Sequence, residues 1–179
     1  MTPAETADRL ARQLVADRLP YALGGALALR AWGVSIEARD VELFVFAGDD
    51  DVVRILDALD EGGAAIDRPA ARRDLARAGR FTSVLDGTPV TVAMAYHPVH
   101  EDMERRRVPL TVGEEKPRWF LSPEDLALTK LVAGDPAHLD RLLAGRPIDA
   151  GYLRDWLQRI LPPADPRHAQ LASLLAGAS

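Results

Sequence analysis

A chain of 179 residues, 47% hydrophobic and 27% charged, has the length and balance of one ordinary globular domain or a domain with a small helical appendage. The absence of cysteine excludes disulfides and thiolate metal centres; with no apolar run of membrane-spanning length and no leader-like N-terminus, a cytoplasmic protein with no membrane partner is expected. The net charge of −5 argues against a global basic field that coats nucleic acid and leaves room for local basic patches.

Taken in chain order, Thr2-Pro3-Ala4-Glu5 is a capping box with proline at the first helical position, opening a helix whose Leu10, Leu14 and Val15 form an apolar stripe. A short strand at 21–23 leads into Gly24-Gly25 and a helix reaching Trp32. Residues 41–46 are apolar and β-prone, interrupted only by Glu42. Asp49, Asp50 and Asp51 then cap a surface helix over 49–60 that turns Val52, Val53, Leu56 and Leu59 inward. Arg72, Arg73, Arg77 and Arg80 crowd the next stretch, with Arg105, Arg106 and Arg107 later; each cluster reads first as solvated surface and second as a phosphate contact.

Strands at 80–85 and 89–96 flank Asp86-Gly87, a hairpin turn signal, and short strands are expected around 108–112 and 118–121. His97 and His100 have the spacing of a helical metal pair, but Pro98 between them points to loop histidines. From Ser122-Pro123-Glu124-Asp125, a second capping box, the pattern turns helical, with further helix starts at Asp149 and at Asp165-Pro166. Leu153, Trp156, Leu157, Ile160 and Leu161 recur at helical spacing before Pro162-Pro163; Trp32, Phe120 and Trp156 are expected in the core.

The chemistry concentrates between residues 21 and 46. A diglycine lets a backbone approach a phosphate closely, while Asp40 and Glu42, two apart on a strand, project from one face. Two carboxylates so placed hold Mg²⁺ against a triphosphate.

The order GGALALRAWG, then Asp40-Val41-Glu42 with LFVF, then TPVTVAMAYHPVH, then FLSPEDLALTK resembles the bacterial nucleotidyltransferases of the minimal and AbiEii-type branch of the DNA polymerase β superfamily. The resemblance implies an α/β (α+β) fold, a nucleotidyltransferase-like mixed sheet with flanking helices over residues 1–121 and a helical C-terminal part over 122–179. It also implies Mg²⁺-dependent transfer of a nucleoside monophosphate from an NTP to tRNA, protein or a small molecule, and a possible toxin–antitoxin partnership.

Carried over residue by residue, Asp40 and Glu42 match the catalytic, metal-binding carboxylates, Gly24 and Gly25 the nucleotide-binding turn, and Lys130 a helix lysine that approaches the phosphates. The family's Pro-Arg-x-Thr is replaced by Ser35, Ile36, Glu37 and Ala38, and its third carboxylate by Thr91 after Val90. Asp135-Pro136-Ala137-His138 stands where a basic and acidic pair is usual. These losses favour a catalytically degenerate protein that retains nucleotide, RNA or protein binding and at most weak Mg²⁺. The alternative is an active enzyme in which an acid such as Asp86 substitutes for the missing ligand. In either case Thr91 is expected to share a face with Asp40 and Glu42.

Overall fold

Alternation of buried and half-buried residues along residues 41–45 and 88–94 is the pattern of strands with one sealed and one open face, and these strands form the centre of the molecule. The structure is a computed structural model that describes residues 1–111 and 116–178. Its six strands are β1 (Tyr21–Leu23), β2 (Val41–Val45), β3 (Arg80–Leu85), β4 (Thr88–Met94), β5 (Val108–Leu110) and β6 (Arg118–Phe120). They form one mixed sheet in the order β3-β4-β2-β1-β6-β5. Strand β2 runs parallel to β4 and antiparallel to β1, which in turn is parallel to β6.

Helix α1 (Pro3–Ala16) packs on β1 and β2, and α3 (Val52–Glu61) packs on α1, sealing Val41, Leu43, Val45, Val90 and Val92 beneath them. Helix α2 (Gly25–Ala31) follows β1 and packs on β2 and on α6 (Pro123–Val132). Helix α4 (Arg68–Ala78) packs on β3, and α5 (Val99–Arg106) follows β4. Helices α7 (Leu139–Leu143), α8 (Ala150–Ile160) and α9 (Arg167–Gly177) pack with α6 and with one another.

The Thr2 capping box forms in full: Thr2 N–H donates to Glu5 Oε2 at 2.7 Å, and Glu5 N–H to Thr2 Oγ1 at 3.3 Å. The second box forms in half. Asp125 N–H donates to Ser122 Oγ at 3.1 Å, but the Ser122 hydroxyl itself donates to Asp125 Oδ2 at 2.6 Å, because a short aspartate meets the hydroxyl before reaching back to the backbone. Asp86-Gly87 is the expected hairpin turn, both residues having positive φ (47° and 80°).

Several expectations are corrected. Val15 is 60% exposed and Val53 48%, since each lies about 100° or more around its helix from the centre of the buried stripe formed by Leu10 and Leu14 or by Ile55, Leu56 and Leu59. The aspartates at 49–51 form a 3₁₀ turn before α3, and Asp51 makes no side-chain capping bond because its carboxylate pairs with Arg54. Helices α4, α5 and α7 add to those expected. His100 lies inside α5, not in a loop: Pro98 sits at the N-cap, where a missing N–H costs nothing. Trp156 and Phe120 are buried, whereas Trp32 is half-buried and donates its indole N–H to the Leu121 carbonyl at 2.9 Å. The strand expected around 108–112 ends at Leu110, and Val112 lies outside the described residues.

Candidate functional site

The diglycine turn is built around β2. Gly24 N–H donates to the Glu42 carbonyl at 2.9 Å, tying the end of β1 to the acidic strand. Gly25 adopts φ +56°, and a methyl group there would stand 2.6 Å from Glu42 Oε1; one at Gly24 would stand 2.8 Å from the Phe44 ring. Close approach therefore favours glycine at both positions, and at Gly25 the positive φ adds to it; the group that approaches Gly25 is the Glu42 carboxylate.

In the parallel pairing of β2 and β4, Glu42 stands opposite Thr91, Leu43 opposite Val92 and Phe44 opposite Ala93. Glu42, Phe44, Thr91 and Ala93 thus share the half-buried face of the sheet, while their neighbours face the sealed core. Asp40 immediately precedes β2, so its parity matches Glu42. The expected shared face of Glu42 and Thr91 is what the register gives.

Above this face lies a cavity of about 1140 Å³ bounded by α4, α5, α6 and β2–β4, with Glu42, Arg80, Thr91, Lys130 and Asp135 among its polar lining residues. Lys130 reaches it from α6 with 14% of its side chain exposed, and its ammonium donates to Asp135 Oδ2 at 2.5 Å. That bond holds the Asp135 carboxyl below the usual carboxylate range. Burial pushes the Glu42 carboxyl up, the Asp40 charge adds to the rise, and Lys130 and Arg80 oppose it. Four charged side chains, Asp40, Arg80, Lys130 and Asp135, therefore act on Glu42 here.

Of the residues singled out in the sequence, Gly24, Gly25, Glu42 and Thr91 come together at the β1–β2–β4 centre, and Lys130 faces them across the cavity. Asp40 lies at its margin, close enough to act on Glu42 but not among the lining residues. Asp86 is elsewhere, paired with Arg9 at 3.8 Å, and takes no part. Ile36 packs on the core and Ala38 is buried, so the positions that hold an arginine and a hydroxyl in the resembling family have been absorbed into apolar packing. Among the described residues no group of three or more His, Asp or Glu side chains is arranged to hold a metal ion. Asp40 and Glu42 form a donor set for Mg²⁺ only if a bound phosphate supplies further oxygens.

Sequence reasoning did not place Arg80, Asp135, His97 or His100 in the cavity. Arg80 was visible only as one of a surface cluster, and Asp135 only as a departure from a motif.

No protein-family model and no curated protein matches this chain. Solved structures do. A candidate nucleotidyltransferase from Thermotoga maritima is similar with a TM-score of 0.54 and 15% identity, over 89% of this chain and 96% of its own. The antibiotic-resistance factor ANT(2'')-Ia in complex with adenylyl-2''-tobramycin is similar with a TM-score of 0.55 and 12% identity, over 98% and 99%. A solution structure of the same factor gives 0.52 and 12%, over 97% and 83%. At such identities the likeness establishes the fold, which is that of the nucleotidyltransferases.

Proposed function

We propose that this chain is a nucleotide-binding protein of the nucleotidyltransferase fold in which the catalytic metal centre has decayed. The observation that carries the reading is the pairing of Glu42 with Thr91: the position beside the acidic strand, facing the cavity, holds a neutral hydroxyl. Metal activation of an acceptor hydroxyl depends on the number and charge of ligands, and a threonine removes one full negative charge. Ile36 and Ala38, turned into the core, support the same reading because two polar groups beside the phosphates are gone.

Nucleotide binding asks less of the site. Lys130 and Arg80 supply positive charge at the cavity wall, and Asp40 with Glu42 would hold a Mg²⁺ that the phosphates complete. The ion, when bound, neutralises phosphate charge. The Lys130 ammonium, with three N–H donors and one given to Asp135, has donors left for a phosphate. In this reading residues 1–121 carry the carboxylates and residues 122–179 bring Lys130 over them, in a cytoplasmic protein of the minimal or AbiEii-type branch.

A second reading, an active enzyme moving a nucleoside monophosphate to a small molecule, tRNA or protein, is favoured by one observation. A cavity of about 1140 Å³ has room for a nucleotide and part of an acceptor. ANT(2'')-Ia, similar in fold, is solved in complex with adenylyl-2''-tobramycin, which supports this reading.

Incubation with each labelled NTP, Mg²⁺ or Mn²⁺ and a pool of cellular RNA and protein separates the two. The expected result is NTP binding with no transfer, and no more than a trace from Thr91→Asp, since Ile36 and Ala38 remain apolar. Robust transfer by the unmodified protein, abolished by Asp40→Asn, would establish the enzyme instead.

A further inference from the structure

The cavity has a second chemical character away from Glu42, where β4 passes into α5. Val99 N–H donates to His97 Nδ1 at 3.2 Å, and His97 N–H donates to His100 Nδ1 at 3.1 Å. A ring nitrogen that accepts a backbone N–H carries no proton, so each neutral imidazole bears its hydrogen on Nε2. The fold of residues 97–100 thereby sets both tautomers. Burial, reinforced by His97, lowers His100 to about 4, which keeps that ring neutral across the physiological range.

Neither Nε2 has a protein partner among the described residues, and neither is sealed as an orphan, although His100 is half-buried; both rings line the cavity. The wall behind them is braced. His97 meets Trp156 edge-on with centroids 5.9 Å apart, the indole N–H of Trp156 donates to Asp102 Oδ2 at 2.9 Å, and Arg159 lies 4.8 Å over its ring. Met103 and Ile160 add apolar surface, and Tyr96, 42% exposed, adds an aromatic ring.

We infer that His97 and His100 form a recognition subsite for the uncharged base of a nucleotide, their Nε2–H groups donating to ring nitrogen or carbonyl acceptors and Tyr96 offering a stacking face. Uncharged donors suit a neutral acceptor: a phosphate finds its counter-charge at Lys130 and Arg80, and an ammonium group would meet N–H donors at the two imidazoles, the carboxylate at this end being Asp49 beside Tyr96. A planar heterocycle satisfies both the donors and the ring. This rests on the proposal that the cavity takes a nucleotide, and it names which end holds the base.

The test uses the unmodified chain and four phosphate-free probes, adenosine, guanosine, cytidine and uridine, with tripolyphosphate as a separate arm. Long-range ¹H–¹⁵N spectra of the imidazoles are expected to show Nε2–H tautomers for both rings, with the Nε2 resonances moving on addition of at least one nucleoside. His100→Asn keeps an acceptor for the His97 amide and lacks the Nε2 donor, so nucleoside binding should weaken about tenfold, the scale of one hydrogen bond; His100→Gln, which restores a donor at that reach, should recover it. Nδ1–H tautomers, no response to any nucleoside, or equal binding by His100→Asn would overturn the inference. Loss of tripolyphosphate binding with nucleoside binding retained would instead overturn the phosphate assignment of the preceding section.

Discussion

Replacing Gly25 with alanine tests the contact on which the site's geometry depends. Gly25 has φ +56°, and the added methyl would meet Glu42 Oε1 at 2.6 Å, Cδ at 2.7 Å and Cγ at 3.1 Å. The left-handed backbone costs an alanine about 1 kcal/mol or somewhat more. The clash is relieved by turning Glu42, whose displaced side chain costs roughly 0.5–1.5 kcal/mol. The expected loss is therefore about 2 kcal/mol in urea unfolding, or a fall in Tm of roughly 4–8 °C for a chain of this size. In a Glu42→Ala background there is no carboxylate to displace, so only the backbone part, about 1 kcal/mol, should remain. A neutral Gly25→Ala, or the same loss in both backgrounds, would show that Glu42 is not folded over the turn.

Glu42→Gln bears on the same carboxylate. A carboxyl whose folded pKa is raised above its ordinary value of 4.5 contributes stability below that value and loses it as pH rises through the folded pKa. The variant should thus melt above the unmodified protein at pH 7, by about 0.5–2 kcal/mol, with the difference vanishing near pH 4; a lower melting point at pH 7 would refute the burial argument. Calorimetry with Mg²⁺ and an NTP should find Asp40→Asn weaker by roughly tenfold, the worth of one charge-assisted contact, and Glu42→Gln weaker by less; equal tight binding in all three proteins would remove both residues from the site. Asp125, fully buried, accepts from the Ser122 hydroxyl and from the Tyr152 hydroxyl at 2.5 Å, with Arg106 Nε at 3.9 Å. Asp125→Ala should cost about 3 kcal/mol in denaturant unfolding by stranding those donors, and a loss below 1 kcal/mol would show that the network does not hold α6 to α8.

What the amino-acid sequence determined by itself is what short-range physics controls. Thr2 and Glu5 form their capping box, Asp86-Gly87 turns the hairpin, and Gly24-Gly25 bends between strand and helix, because each outcome depends on neighbours within four residues. The shared face of Glu42 and Thr91 was also legible, since a strand's two-residue period fixes which side chains lie together once the strands pair. Helix α4 was not legible: its buried residues are Ala71 and Leu75 alone, too sparse a stripe to show periodicity among arginines. Helix α5 was hidden by Pro98, which reads as a breaker in sequence and serves as a cap in space.

Only the tertiary structure decided which charges meet. The parallel pairing of β2 with β4 sets Glu42 beside Thr91, and α6 with the turn that follows it brings Lys130 and Asp135 over them from far along the chain. The same packing closes α5 over the cavity and turns two histidines that looked like loop residues into its wall. Local propensity carries no information about such encounters. They are set by how the apolar faces of sheet and helices seal against one another, and the polar groups on the opposite faces go where that burial sends them.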